Sequence, residues 1–269
     1  MPVPPHTNLW SVTSRSGIVT LTTDFGPGDP YAAALEAALI KAWPPVRVVH
    51  VSHAIDPGDI RAGAYVVEYA ARSFPPGTVH LGVVDPGVGT DRPMFAIETE
   101  DFVLVGPGNG VLDRALRRQA LRGAVALPTP DSASRTFQSR DVMAPVAARA
   151  AAGEALSSLG AAVEIAVPPP PPTFDTAVPG SFNIAHVDRF GTLVVDAVHP
   201  GAWPAGIDAI EVAGRLATSG TTFADVAPGE LVVYRGSIGY VEVAARDGSA
   251  AALLGLKAGD RIDMGALST

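Results

Sequence analysis

The ten residues from Val83 to Arg92, VVDPGVGTDR, run from an apolar, strand-like stretch straight into an acid, a proline, two glycines and a cation. Asp85 and Arg92 stand seven residues apart across this turn. The turn raises the question whether it cradles a phosphate or puts Asp85 and Arg92 to another use. Glycines after a strand can build phosphate cradles. Here the third glycine of the dinucleotide fingerprint is replaced by Arg92 and no Gly-Lys-Ser/Thr follows, so neither that fingerprint nor a P-loop is present. Taken alone, DPGVGT reads first as a tight turn, preset by Pro86 and relieved by its glycines.

Other chemistry-bearing residues are equally open when taken singly. Asp24, closing GIVTLTTDFG, reads either as a helix-capping acid or as a carboxylate that accepts hydrogen bonds from vicinal hydroxyls. GPGNG (106–110) is a turn by composition. In TFQSRD, Asp141 reads as a first-turn acid favoured by the helix dipole and Arg140 as its partner. His6, His50, His53, His80, His186 and His199 have no metal-ligand spacing and read as packed or surface histidines. The absence of cysteine excludes disulfides, thiolate metal sites and cysteine nucleophiles. No Gly-x-Ser-x-Gly elbow is present, which disfavours a serine hydrolase.

The elements that must carry these residues fall into two grammars. In the first, strands alternate with helices. GIVTLTTDFG, VRVVHVS and TVHLGVV read as strands, FAIETEDFVLVG as two short strands around an acidic turn, and DPYAAALEAALIKAW, DIRAGAYVVEYAARSF, GVLDRALRRQ and RDVMAPVAARAAAG as helices. Asp29 is expected to cap the first helix with Pro30 at its first position. This alternation predicts an α/β domain with a mainly parallel sheet covered on both faces, over residues 1–167. Such sheets bind ligands beyond the carboxyl ends of their strands, where Asp24, Ser52 and Asp85 fall. The five prolines of VPPPPPTF open a stiff spacer, residues 168–178. Beyond it FNIAHVD, GTLVVDAV, DAIEVAG, ELVVYRG, YVEVAA and DRIDMG predict a C-terminal all-β, barrel-like domain over 179–269.

The chain of 269 residues is 47% hydrophobic, enough for a substantial core and long enough for one large or two modest domains. Its net charge of −8 disfavours a nucleic-acid partner. MPVPPHTNLWSVTSRSG lacks the apolar core of a signal peptide, and no apolar run is long enough to span a membrane, so a cytoplasmic protein is expected.

Read in order, TTDFGPGDPY, DPGDIRAGA, FPPGTVHLGVVDPGVGTDR, VGPGNGVL, TFQSRDVMAPVAA, VDRFGTLV, TFADVAPGE and GSIGYVEVAARDGSAAALLGL span nearly the whole chain. The series resembles the S-adenosyl-L-methionine hydroxide adenosyltransferases, the hydrolase branch of the fluorinase and chlorinase superfamily. The resemblance implies hydrolysis of S-adenosyl-L-methionine to adenosine and L-methionine by water attack at ribose C5′, with no metal and no cofactor. It also implies a homotrimer with active sites at subunit interfaces. In the hydrolases an Asp–Arg–His set holds the water. Asp85 and Arg92 match the first two, whereas Gln138 stands where TFHGRD has histidine. Glutamine can hydrogen-bond a water but cannot take its proton.

By the same resemblance Asp24 matches the ribose-diol carboxylate, Asp29 and Tyr31 the contacts to the methionine part, Phe190 the aromatic packed on adenine, and Ser237 a residue at the amino-acid end. Thr192 replaces the asparagine of FGN, Arg246 that of AVNGG, and Gly108 the acid of GPDNG. Ser139 occurs where the fluorinase has its halide-contacting serine, which keeps a halogenase as an alternative; a non-catalytic S-adenosylmethionine or adenosine binder is another. Against the halogenase, that branch lacks the Asp/Arg pair and carries an extra loop before GPxNG, where this chain has only ETED.

Overall fold

A computed structural model describes residues 15–203 and 205–266, which divide into two compact units meeting at Pro168/Pro169. His6 and the leader reading of the first fourteen residues lie outside the described residues. No described helix is long and apolar enough to cross a membrane.

Among the described residues, the first unit holds a seven-stranded sheet of order β2-β1-β3-β5-β4-β6-β7. β1 (Ile18–Thr23), β2 (Arg47–Ser52), β3 (Val79–Val83) and β5 (Val103–Pro107) are mutually parallel. β4 (Met94–Thr99), β6 (Leu121–Ala126) and β7 (Ala161–Ala162) add antiparallel pairs. The sheet is therefore mixed rather than mainly parallel. The reason is connection length: only Glu100, Asp101 and Phe102 separate β4 from β5, and three residues close a hairpin but not a crossover. The expected helix at GVLDRALRRQ shrinks to α3 (Asp113–Leu116), and the chain returns as β6.

α1 (Tyr31–Ala42) buries Leu35 and Leu39 against the sheet's larger core with Leu21, Leu81 and Met143. Each such side chain contributes about 1.5–3 kcal/mol by leaving water. Pro30, not Asp29, occupies the cap position, no side chain caps this helix, and Asp29 is exposed. α2 (Ile60–Ser73) does have its cap: Asp59 Oδ1 accepts from the Ala62 amide at 3.0 Å. α2 also lies against the end of β3, since a Cβ on Gly63 would stand 2.7 Å from Val84 Cγ2. α4 (Ala144–Ala151) is entered through one π-helical turn, Ser139–Met143.

His80 of β3 is 1% exposed, bonded to Thr20 Oγ1 at 2.8 Å and edge-on to Phe102 at 5.4 Å between centroids. Burial pushes its pKa down to about 3, so the folded chain keeps it neutral where the unfolded chain takes a proton below 6.5. Stability is then fully present above pH 6.5 and declines as pH falls toward 3. Between about pH 6.5 and about pH 4.5 this single group is expected to remove about 2–3 kcal/mol in urea unfolding. A Thr20→Val, His80→Phe double variant is expected to lack that part of the slope.

The second unit is a closed barrel of order β10-β11-β12-β13-β9-β8-β14. Its strands are β8 (Gly180–Val187), β9 (Leu193–Val198), β10 (Ala209–Val212), β11 (Arg215–Ser219), β12 (Leu231–Arg235), β13 (Tyr240–Ala245) and β14 (Arg261–Ala266), with a short helix α5 (Ala250–Leu254). Ile184, Leu193, Val195, Val233, Val243 and Ile262 fill the barrel. The end of the proline run is bound to it. Pro172 O accepts from the Val198 amide at 2.7 Å, the Phe174 amide donates to Val198 O at 2.8 Å, and the Phe174 ring is buried in the barrel core.

Candidate active site

Parallel pairing aligns Thr23 of β1 with Val83 of β3, so Asp24 and Asp85 emerge from the same carboxyl edge of adjacent strands. Asp24 Oδ2 accepts from the Gly58 amide at 2.9 Å. A Cβ on Gly58 would lie 3.7 Å from the Pro86 ring, which carries the edge continuously from Asp24 to the Asp85 turn. Behind the turn, Asn109 Nδ2 donates to Val84 O at 2.8 Å and its Oδ1 accepts from the Val111 amide at 3.2 Å. GPGNG is thus a brace for the residue preceding Asp85. Gly108 has no room for the acid expected there, because the Phe95 ring lies 2.4 Å from where its Cβ would be.

Asp85 and Arg92 form a bidentate pair, Nε to Oδ1 at 2.6 Å and Nη2 to Oδ2, with side chains 6% and 10% exposed. Nη2 also donates to Gln138 Oε1 at 2.8 Å, and the Gly89 amide approaches the same oxygen at 3.5 Å. Gln138 is 6% exposed. Its carbonyl end therefore orients the guanidinium, and its amide N–H groups are what it has to offer a ligand. Arg92 Nη1 is buried with no hydrogen-bond partner among the described residues. A buried charged donor left unpaired is costly, so this atom implies an acceptor that completes the site.

Two loops hold these side chains in register. Gly89 has φ +82°, and a Cβ there would lie 2.8 Å from Arg135 O, so only glycine lets the loops meet so closely. Arg135 Nη2 donates back to Gly89 O at 3.2 Å. Asp141 accepts from the Ser134 amide at 2.8 Å and from Arg140 at 2.7 and 2.9 Å, which closes the loop leading to Gln138. The hydrogen bond from Arg140 holds the Asp141 carboxyl below its usual range. The π-helical turn begins immediately after Gln138, with Ser139 buried in it. Such turns recur at functional sites because they swing a residue out of helical register.

Tyr31, 48% exposed, joins Phe25 and Phe137 in an edge-to-face cluster with centroids 5.7–5.9 Å apart, and the Arg140 guanidinium lies 4.7 Å from the Phe137 ring centre. Phe25 and Phe137 carry no motif of their own. Their only signal in the sequence is adjacency to Asp24 and Gln138.

In the barrel, the Asp188 carboxylate accepts from the Phe190 and Thr192 amides at 2.9 and 2.8 Å, building a turn that leaves the Phe190 ring 79% exposed. Thr192 instead turns inward, 3% exposed, and its hydroxyl bonds Tyr234. Tyr234 in turn donates to Glu242 at 2.7 Å. Burial pushes the Glu242 carboxyl up, and nearby Asp188 adds to this. The β12–β13 ladder runs from Leu231↔Ala245 to Arg235↔Val241. Ser237 therefore lies in the turn that closes this hairpin and Arg246 just beyond its other end, so the structure does not group these two. Arg246 Nη1 donates to Val226 O at 2.9 Å.

A cleft of about 1070 Å³ opens at the opposite, amino edge of the parallel strands, lined by Gly17, Trp43, Arg47 and Arg122 among others. None of the residues above reaches it.

Comparison with known proteins covers both units. The family model described as the SAM hydroxide adenosyltransferase N-terminal domain matches residues 19–160, and the one for the C-terminal domain of that family matches 182–263. An (R)-S-adenosyl-L-methionine hydrolase of Salinispora tropica is 41% identical over 252 residues, covering 91% of this chain and 96% of its own. A fluorinase of Actinoplanes is 26% identical over 286 residues, covering 90% and 95%. The crystal structure of an uncharacterised conserved protein from Thermotoga maritima superposes with TM-score 0.80 at 28% identity, over 92% of this chain and 99% of that one.

Proposed function

The chain belongs to the SAM hydroxide adenosyltransferase family, and on that premise we propose that it hydrolyses S-adenosyl-L-methionine to adenosine and L-methionine. The observation that carries this is the buried Asp85–Arg92 pair, with no partner for Arg92 Nη1 among the described residues. A buried ion pair contributes little net stability, so its retention at the ligand-binding edge of the sheet favours a chemical role. Water attacks C5′ in line with the C5′–S bond, and the bonding electrons leave with sulfur. The sulfonium becomes a neutral thioether, and one proton passes from the water to solvent. A sulfonium departs without acid assistance, so no metal or cofactor is required. The site instead supplies orientation and a fixed electrostatic field. Asp85 accepts from the attacking water, Arg92 stabilises its developing negative charge, and Gln138 positions Arg92.

The remaining assignments follow the same reading. Asp24 receives the ribose hydroxyls, Asp29 and Tyr31 face the methionine part, and Ser139 lines the wall beside the water. Phe190 is the adenine platform, with Thr192 and Arg246 in the adenine pocket, while Ser237 serves the amino-acid end. A homotrimer in the cytoplasm completes the proposal.

Incubation with S-adenosyl-L-methionine is expected to release adenosine and methionine in equal amounts, unaffected by excess chelator. The halogenase reading draws on Ser139 and on the fluorinase similarity. Against it stand the Asp/Arg pair, the three-residue β4–β5 connection, and identity of 41% to the hydrolase against 26% to the fluorinase. Halogenated adenosine as the only product when halide is supplied would replace the proposal. Calorimetric binding without turnover, unimproved by Gln138→His, would replace it with a binder.

A further inference from the structure

A second set of polar side chains sits at the same strand edge, outside the water site. The Phe25 amide donates to Thr23 Oγ1 at 3.2 Å, and that oxygen lies 2.8 Å from His53 Nδ1. His53 Nε2 lies 2.6 Å from His50 Nδ1, and His50 Nε2 lies 3.3 Å from Glu36 Oε2. Separately, His53 O accepts from the Gly26 amide at 2.7 Å.

The direction of this row follows from its far end. A carboxylate only accepts, so a neutral His50 carries its proton on Nε2 and presents Nδ1 as an acceptor. His53 then donates through Nε2 and accepts at Nδ1 from the Thr23 hydroxyl. That leaves Thr23 Oγ1 free to accept from Phe25. Each ring is neutral in this arrangement, in keeping with burial and neighbouring His50 lowering the His53 pKa. Reversing any one link places two donors or two acceptors face to face.

We infer that Glu36, His50, His53 and Thr23 form a one-way hydrogen-bond chain that fixes the loop Asp24–Gly26, making Thr23 and His53 positioning residues for ribose binding. The loop carries Asp24 on one side and Phe25 of the aromatic cluster on the other. Its backbone is held at Phe25 through Thr23 and at Gly26 by the His53 carbonyl. Both anchors depend on where residue 53 sits. The inference rests on reading Asp24 as the ribose carboxylate, although the chain itself does not.

The experiment has two independent arms. The first measures ring ¹⁵N shifts of labelled protein at neutral pH. Both His50 and His53 are expected as neutral Nε2–H tautomers; an Nδ1–H tautomer or an imidazolium at either position overturns the chain. The second arm compares steady-state kinetics of Thr23→Val and Thr23→Ser. Thr23→Val keeps the shape and removes the hydroxyl, and is expected to raise KM about tenfold with kcat within about twofold, the effect of losing one or two good hydrogen bonds. Thr23→Ser is expected to restore KM. Unchanged KM in Thr23→Val, or a loss confined to kcat, overturns the positioning role. Asp24→Asn run alongside separates the two levels: unchanged KM there overturns the ribose reading, and the positioning role with it, while the tautomers still report on the chain.

Discussion

Asp85→Asn is expected to lower kcat about 10³-fold while leaving affinity for S-adenosyl-L-methionine within about threefold. The magnitude corresponds to about 4 kcal/mol of transition-state stabilisation, in the range measured when one preorganised polar contact is removed from a reacting centre. The split between kcat and binding follows from what Asp85 touches. Both its oxygens hold Arg92, and the proposed water lies between protein and C5′ rather than on the substrate's binding handles. Its contribution therefore grows as the C–O bond forms. Initial rates by product chromatography and Kd by calorimetry check this. A raised Kd with normal kcat would make Asp85 a ground-state contact instead.

Arg92→Met is expected to abolish measurable turnover and to destabilise the fold by about 3–5 kcal/mol, because it strands the Asp85 carboxylate in a nearly buried position. Gln138 Oε1 loses its 2.8 Å donor in the same step. Stability and activity are expected to separate in the double variant Asp85→Leu, Arg92→Met. Removing both charges relieves the stranded carboxylate, so urea unfolding recovers much of the loss while activity stays absent. Recovery of turnover along with stability would show that the pair is structural.

How much of this is legible in the sequence depends on whether the signal is local. The strands β1, β2 and β3 and the placement of Asp24 and Asp85 at their carboxyl ends follow from apolar runs that stop at polar residues. The barrel follows from short alternating strands, although β11 escapes because RLATS carries too little apolar pattern. The sheet's antiparallel half is hidden for a different reason. Helical spacing in GVLDRALRRQ is satisfied locally, yet only Asp113–Leu116 stay helical, because LRGAVA finds β4 as a pairing partner far away in sequence. Asp29 fails as a cap because Pro30 takes that position and leaves Asp29 exposed.

The site shows the same division. The Asp85–Arg92 spacing is local and readable. The role of Gln138 is not, since a lone glutamine gives no hint that its carbonyl faces a guanidinium 46 positions earlier. Asn109, read as a turn residue, reaches Val84 across 25 positions. The absence of an acid at Gly108 becomes intelligible only once Phe95 is seen to occupy the space. Thr192 is bonded into a barrel network with Tyr234 and Glu242, a link that nothing local in the sequence announces.

The central claim is that water, held by Asp85 and Arg92, displaces methionine at C5′. A single turnover of S-adenosyl-L-methionine in H₂¹⁸O tests it most directly, with the products weighed by mass spectrometry. The account predicts adenosine carrying one ¹⁸O on C5′ and methionine carrying none. Unlabelled adenosine, or label appearing in methionine, would contradict it.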